Sequence, residues 1–299
     1  MNELLVKEFP KPVDGVIYVF NSDSLQKACD ILQKYKIHSL PVCDSSNPGF
    51  VVGMLDVLDI VCFIASKSEG PVKKVNPATL QKAVVSEVAD FSGRSPYLPV
   101  PETTPMSEVI RLFIECNLHR VLVHDENNKL SNVITQTAII NILSRHISEL
   151  GAVANKTISE LNLGSAPVFT VDISLPTIEA FKTMRDKQSY GIAVVNNNIG
   201  STLVAVLSAK DARFICHDFT RVKYLGQPLS HLLGPLKSSD NPLEETRNPS
   251  ITIRGSDTLH TLLEKFSASK VHRVYTVSDT GKPLTVITLT DLLRAISSN

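Results

Sequence analysis

The chain is predicted to be an α+β protein made of four repeats of βαββα type, joined in two pairs. The first observation is a recurring frame along the 299 residues: a helix-like apolar pattern, a short β-rich run, a loop, a second β-rich run and another helix. Such self-similarity marks repeat architectures. The second is a constant spacing. Sixteen residues beyond the first core position of each leading helix (Leu25, Met106, Thr177, Leu259) stands a strand position, at Pro41, Leu122, Ala193 and Tyr275. The third is an alternation: from that strand position to the residue closing the second strand the spacing is 15, 13, 15 and 13 residues, which pairs repeat one with two and three with four. Units this short cannot bury a face alone and must pack together.

The leading helices follow a 3.6-residue period. Leu25, Ala28, Ile31, Leu32 and Tyr35 share one face, as do Met106, Val109, Ile110 and Phe113, and Leu259, Leu262, Leu263 and Phe266. Their starts are expected at Ser22/Asp23, Thr104-Pro105, Ser174 ahead of Pro176, and Ser256/Asp257, with the prolines in the first turn. Middle strands are expected at Ser39–Cys43, 121–124, 192–195 and 274–277, and closing strands at 51–55, 132–135, 203–208 and 284–288. After repeat one, 67–77 reads as a Pro/Gly/Lys loop containing Lys73-Lys74, and 79–91 as a further helix. A polar break at 151–155 separates the halves. The repeats are placed at 16–65, 79–147, 166–217 and 249–297, and the paired modules at 1–148 and 156–299.

Composition narrows the function. Thirty Lys+Arg balance thirty Asp+Glu, so no global field draws the chain toward nucleic acid or an anionic membrane. Any anion must be caught by a local cluster. Trp is absent and aromatics are 6%, which counts against base-stacking platforms. The N-terminus lacks a signal-peptide layout, and the greasiest stretch, 50–65, is interrupted by Asp56 and Asp59 and too short to span a bilayer. Five cysteines without a C-x-x-C pair are expected to be buried free thiols of a reducing compartment.

Chemistry recurs at fixed places in the frame. Three residues before each strand position stand His38, His119, Tyr190 and His272; two before it stand Ser39, Arg120, Gly191 and Arg273. Adjacent His and Arg make a compact donor cluster for phosphate oxygens, with Arg able to bind bidentately. At the end of each closing strand a hydroxyl residue precedes an Asp by three: Ser208 and Asp211 in repeat three, Thr288, Thr290 and Asp291 in repeat four. Repeat two keeps Thr135 but has Ala138 at the Asp position, and repeat one keeps Asp59 but has Asp56 at the hydroxyl position. A strand-to-helix turn offers backbone N–H groups to an anion, and an Asp inside it can accept ribose hydroxyls. Together these describe a pocket with ribose at one end and phosphate at the other. No Walker loop, G-x-S-x-G elbow or H-E-x-x-H motif occurs, so an enzyme is the weaker expectation.

These repeats resemble cystathionine-β-synthase (CBS) domains, and the resemblance runs from about 16 to 296. Phe50-Val51-Val52-Gly53-Met54-Leu55, Leu118-His119-Arg120 and Val271-His272-Arg273 are similar to the γ regulatory subunits of AMP-activated, SNF1-type protein kinases. The resemblance implies two Bateman modules forming a flat disk around central sites for AMP, ADP or ATP, which act as regulatory ligands rather than cofactors. It implies that Asp211 holds the ribose of one nucleotide, with Arg120, His272 and Arg273 near its phosphates. Asp291 would hold another, with Thr288, Thr290 and His119 on the phosphate side, and Asp59 a third, with His38 and His119 nearby. His38 stands where the family usually has Arg, Asp56 and Leu58 replace two hydroxyls, and Ala138 matches the family's typically empty second site. The implied partners are kinase catalytic and scaffold subunits, or a second copy through CBS pairing, with no nucleic acid and no membrane. The implied place is the cytoplasm or nucleus. A scaffold without nucleotide response is the alternative, and a nucleotide-hydrolysing enzyme comes last.

Overall fold

Each repeat forms its own three-stranded sheet, and the same register builds all four. The computed structural model describes residues 4–67, 76–94, 96–237 and 250–297. Repeat one contains β1 (Val19–Phe20), α1 (Leu25–Lys34), β2 (Ser39–Cys43), β3 (Val51–Asp56) and α2 (Val57–Ser66). Two short helices follow, α3 (Pro77–Lys82) and α4 (Val85–Val88). Repeat two contains β4 (Pro99–Pro101), α5 (Met106–Glu115), β5 (Arg120–His124), β6 (Leu130–Thr135) and α6 (Gln136–Arg145). Repeat three contains β7 (Thr170–Asp172), α7 (Thr177–Asp186), β8 (Gly191–Asn196), β9 (Thr202–Ser208) and α8 (Arg213–His217). Then come α9 (Leu229–Lys237) and repeat four, with β10 (Thr252–Ile253), α10 (Leu259–Ser269), β11 (Arg273–Val277), β12 (Pro283–Thr288) and α11 (Leu289–Ser297). In every sheet the first strand runs parallel to the middle one and the third antiparallel to it.

The leading helices begin at Leu25, Met106, Thr177 and Leu259, where the sequence frame puts their first core residues. Their caps differ from expectation. Ser24 and Thr258 cap α1 and α10, accepting from Lys27 N–H and Thr261 N–H at 3.3 and 3.2 Å. Pro105 and Pro176 occupy the cap position itself. The acids upstream serve the preceding turn: Asp23 accepts from Phe20 N–H and Asp257 from Arg254 N–H. The first helical N–H groups find partners far along the chain, within each module. Leu25 N–H donates to Ala83 and Met106 N–H to Leu4; Thr177 N–H donates to Gln227 and Leu259 N–H to Lys156. Each repeat's leading helix is thus capped by the backbone that leads into the other repeat of its pair, which satisfies a donor that has no intrahelical acceptor. That exchange also breaks the single helix expected over 79–91 into α3 and α4, because Ala83 and Val84 leave helical geometry to reach α1.

Two large cores hold the repeats together, and they cross the pairs. One joins repeats one and three, with α1 against α8 and α2 against α7; the other joins repeats two and four, with α10 against α6 and α11 against α5. Within pairs the contacts are made by sheets and their loops. Cys43, Val51 and Met54 cluster with Leu122, while Ser165 bridges Val286 and Leu203 N–H donates to Gly281. The α2 helix is buried from Val57 to Ala65, so its all-round hydrophobicity is that of a core helix. Among the described residues no helix is long and apolar enough to cross a membrane. The break at 151–155 belongs to a 3-10 turn (Ile147–Asn155) whose Ile147, Leu150 and Val153 pack on the second core. Four cysteines are buried and free, but Cys116, at the exposed end of α5, is not buried. The pair Lys73-Lys74, with most of its loop, and the start of repeat four at 249 lie outside the described residues.

Candidate functional site

The ladder register brings the basic and the hydroxyl positions face to face. Ser39 pairs with Asp56, Arg120 with Thr135, Gly191 with Ser208 and Arg273 with Thr288. The carbonyls of His38 and His119 accept the first N–H of α2 and α6, and that of Tyr190 accepts Ala209 N–H at the start of a 3-10 turn (Ala209–Ala212) leading into α8. Each Asp of the hydroxyl-x-x-Asp motif closes a capping box: Asp59, Asp211 and Asp291 accept from the backbone N–H of Asp56, Ser208 and Thr288 at 2.7, 2.8 and 2.8 Å. The structural use of this motif is therefore real. It also fixes one carboxylate oxygen beside a helix start, where partial positive charge collects.

All four repeats meet at these positions. The His119 ring lies 4.1 Å from the Tyr190 ring, and Tyr190 donates to the Arg94 carbonyl at 2.8 Å. The Arg94 guanidinium sits 5.4 Å from the same tyrosine ring. Arg213 Nη1 is 3.5 Å from His38 Nδ1, and His272 Nε2 is 3.2 Å from Thr137 Oγ1. Arg273 Nη1 donates to Ser189 Oγ at 3.1 Å and to the Gly191 carbonyl at 2.5 Å. Arg120 Nη2 pairs with Asp56 Oδ2 at 3.0 Å, while its Nη1 is buried without a hydrogen-bond partner among the described residues.

The absence of a side chain at Gly191 is a requirement of this packing. A Cβ there would stand 2.7 Å from Arg273 Nε and 2.9 Å from the Leu207 carbonyl. The missing basic pair of repeat three is thereby explained: its place receives the arginine of repeat four.

The centre carries a positive field. Burial lowers the His38 pKa to about 3, reinforced by Arg213, His272, Arg120 and Lys210. Burial lowers His272 to about 4, with Lys210, Arg273 and Arg120 adding to it. His119 is pushed well below the usual imidazole range by burial, then by Arg120, His272, Arg273 and Arg94. After burial, then, the groups that disfavour a proton on these rings are cations or a neighbouring imidazole. Neutral rings amid arginines and a lysine are suited to accept a proton when an anion arrives.

Not every expected residue faces this centre in an open state. Asp59 is fully buried; its Oδ1 accepts from the N–H and hydroxyl of Ser92, and burial beside Asp56 raises its pKa. Thr290 is buried too, accepting from Gln136 Nε2 at 2.9 Å across the repeat two–four interface. Asp211 is 5% exposed, with Ser208 Oγ donating to it at 3.0 Å, and Asp291 takes Thr288 Oγ1 at 2.7 Å and Arg294 Nη1 at 3.1 Å. Arg94, Lys210, Arg213 and Ser92 join this region without being a defining residue of either sequence motif. Lys210 lies inside the Ser208–Asp211 motif and Arg213 two residues beyond it, so a basic count around the motif would have found both. Arg94 and Ser92 carry no such signal. A separate cavity of about 330 Å³ opens beside the repeat-one sheet, lined by Asn21, Met54, Asp90 and Tyr97 among others. Among the described residues no group of three or more His, Cys, Asp or Glu is set to hold a metal ion.

Comparison with known proteins gives the frame independent support. A family model described as the CBS domain matches residues 6–66, 85–145, 158–217 and 244–298. The SNF1-related protein kinase regulatory subunit gamma-1 of Arabidopsis thaliana is 26% identical, over 97% of this chain and 81% of that protein. Protein SDS24 of Saccharomyces cerevisiae is 23% identical over 88% of this chain, which spans 53% of the yeast protein. Among solved structures, protein MJ1225 of Methanocaldococcus jannaschii, described as a proposed archaeal homologue of the AMP-activated kinase γ subunit, aligns with a TM-score of 0.76. It is 18% identical, over 95% of this chain and 97% of that one, a likeness of fold.

Proposed function

The chain belongs to the CBS-domain family, and on that premise we propose that it is a regulatory subunit that binds adenine nucleotides and passes their state to a protein kinase. The observation that carries this reading is the centre where all four repeats converge: Arg94, Arg120, Lys210, Arg213 and Arg273 act on neutral His38, His119 and His272, and Asp211 and Asp291 stand in the turns that follow the closing strands of repeats three and four. Cations and ring donors suit phosphate, and carboxylates one turn inside a helix suit ribose hydroxyls. The likeness to a plant kinase γ subunit over nearly the whole chain supports the kinase as partner, with catalytic and scaffold subunits around it. AMP, ADP and ATP are then ligands that report energy state, and no bond is made or broken.

Calorimetric titration of the purified chain with the three nucleotides tests this. At least one should bind, and Asp211→Ala or Asp291→Ala should weaken it by at least about tenfold through loss of the ribose acceptor. Copurification with a kinase catalytic subunit checks the partner. A second reading, a CBS scaffold without nucleotide response, is favoured by one observation: in repeat one, protein groups already fill the site, with Ser92 on Asp59 and Asp56 on Arg120. It predicts assembly with a partner or a second copy and no heat from any nucleotide.

A further inference from the structure

We propose that Asp56 is a built-in competitor for phosphate, which holds one arm of Arg120 and restricts the basic centre to anions of low charge. The proposal rests on the nucleotide-binding reading and names a selectivity within it.

Four residues share one frame position at the end of the closing strand: Asp56, Thr135, Ser208 and Thr288. A hydroxyl at that place can donate to a phosphate oxygen; a carboxylate only accepts and repels. Asp56 cannot swing aside without cost. It caps α2, its Oδ1 accepting from Leu58 N–H at 2.9 Å, and it is 1% exposed. Its Oδ2 holds Arg120 Nη2 at 3.0 Å.

Arg120 is only half used by this pair, since its Nη1 is buried and has no hydrogen-bond partner among the described residues. An incoming anion oxygen would satisfy Nη1 and bring His272, His38 and Lys210 into play, all of which lie close enough to act on one another's charge. It would also meet the Asp56 carboxylate across the same guanidinium. Each added negative charge on the ligand raises that repulsion in a poorly screened place. Arg273 has no such competitor: its acceptors, Ser189 Oγ and the Gly191 carbonyl, are neutral.

The test is calorimetry with AMP, ADP, ATP and inorganic pyrophosphate on the wild-type chain, Asp56→Asn and Asp56→Thr. Asn and Thr both cap helices, and Thr restores what repeats two and four carry, so α2 keeps its start. Asp56→Asn should tighten ATP and pyrophosphate by about tenfold or more and AMP by less, with the gain shrinking as salt rises. The wild-type chain, which needs no variant to fold, should bind AMP more tightly than ATP at low salt. Unchanged or weaker ATP binding in both variants, or a wild-type preference for ATP, overturns the proposal and leaves the nucleotide reading standing. Pyrophosphate binding gained by Asp56→Asn with no nucleotide bound by any form overturns the nucleotide reading and keeps the competitor. No anion bound by any form removes both.

Discussion

Arg120 and Arg273 occupy one frame position in repeats two and four, and each reaches into the other half of its own module. Their surroundings differ. Arg273 lies across Gly191 and is held by a hydroxyl and a carbonyl, neither of which offsets its positive charge. Arg120 reaches repeat one, where the equivalent of Gly191 is Ser39 and the equivalent of Ser208 is Asp56, and there it forms an ion pair. One residue at a helix cap thus engages one arm of Arg120 in an ion pair and leaves its Nη1 without a partner among the described residues. Identical motifs in a repeat protein do not have identical chemistry, because the facing repeat supplies the partner.

The largest effect should come from breaking the pair in repeat one. Arg120→Met leaves Asp56 buried without its cation and should cost about 3–5 kcal/mol. That corresponds to a melting temperature lower by on the order of 10 °C for a chain of this size. Arg273→Met removes bonds to neutral acceptors only and should cost about 1–3 kcal/mol. The double variant Asp56→Asn/Arg120→Met should recover most of the first loss. Equal losses for the two single arginine variants in denaturant unfolding would mean that the two arginines are held alike.

Next in size is Gly191→Ala. Its Cβ meets Arg273 Nε and the Leu207 carbonyl, and since backbone yields little, about 1–3 kcal/mol of stability should go. Nucleotide affinity should fall with it, because Arg273 loses its seat. Gly53→Ala, in the repeat-one sheet with nothing within 4 Å of its Cβ, is the control and should be close to neutral in the same unfolding assay.

The smallest effect is the pH response. Unfolded, His38 and His272 titrate near 6.5; folded, burial and neighbouring cations hold them neutral to about 3 and about 4. The unfolded chain therefore binds more protons, and stability should decline as pH falls from about 6.5 toward 3. Asp59 opposes this: its pKa is raised in the fold by burial and Asp56, so protonating it favours the folded state. The net drop in melting temperature from pH 7 to pH 5 should be a few degrees, and His38→Gln/His272→Gln should flatten it. A bound anion, by raising both histidine pKa values from about 3 and about 4, should make affinity increase as pH falls below about 6.

Much of this architecture could be read along the chain. The leading helices start at the anchored residues, and the middle and closing strands fall within two residues of their expected bounds, because apolar periods of 3.6 and 2 are local properties. The basic pair and the hydroxyl-x-x-Asp motif were also legible as recurrences, and antiparallel pairing then set them opposite each other. Helix caps were less legible. Proline at the cap and acids in the turn before it look alike in sequence, and the donors they leave are met by backbone from the partner repeat.

Four repeats in two pairs were determined by the sequence alone through spacing and loop length. Which faces meet was not. Sheets pair one with two and three with four, while helices join one to three and two to four, and an apolar stripe carries no label for its partner. The same holds for charge. Asp56 and Arg120 are 64 residues apart, and no local pattern marks them as a pair. Only packing brought them to 3.0 Å, and in a buried place that distance decides how much of an arginine's charge is already offset.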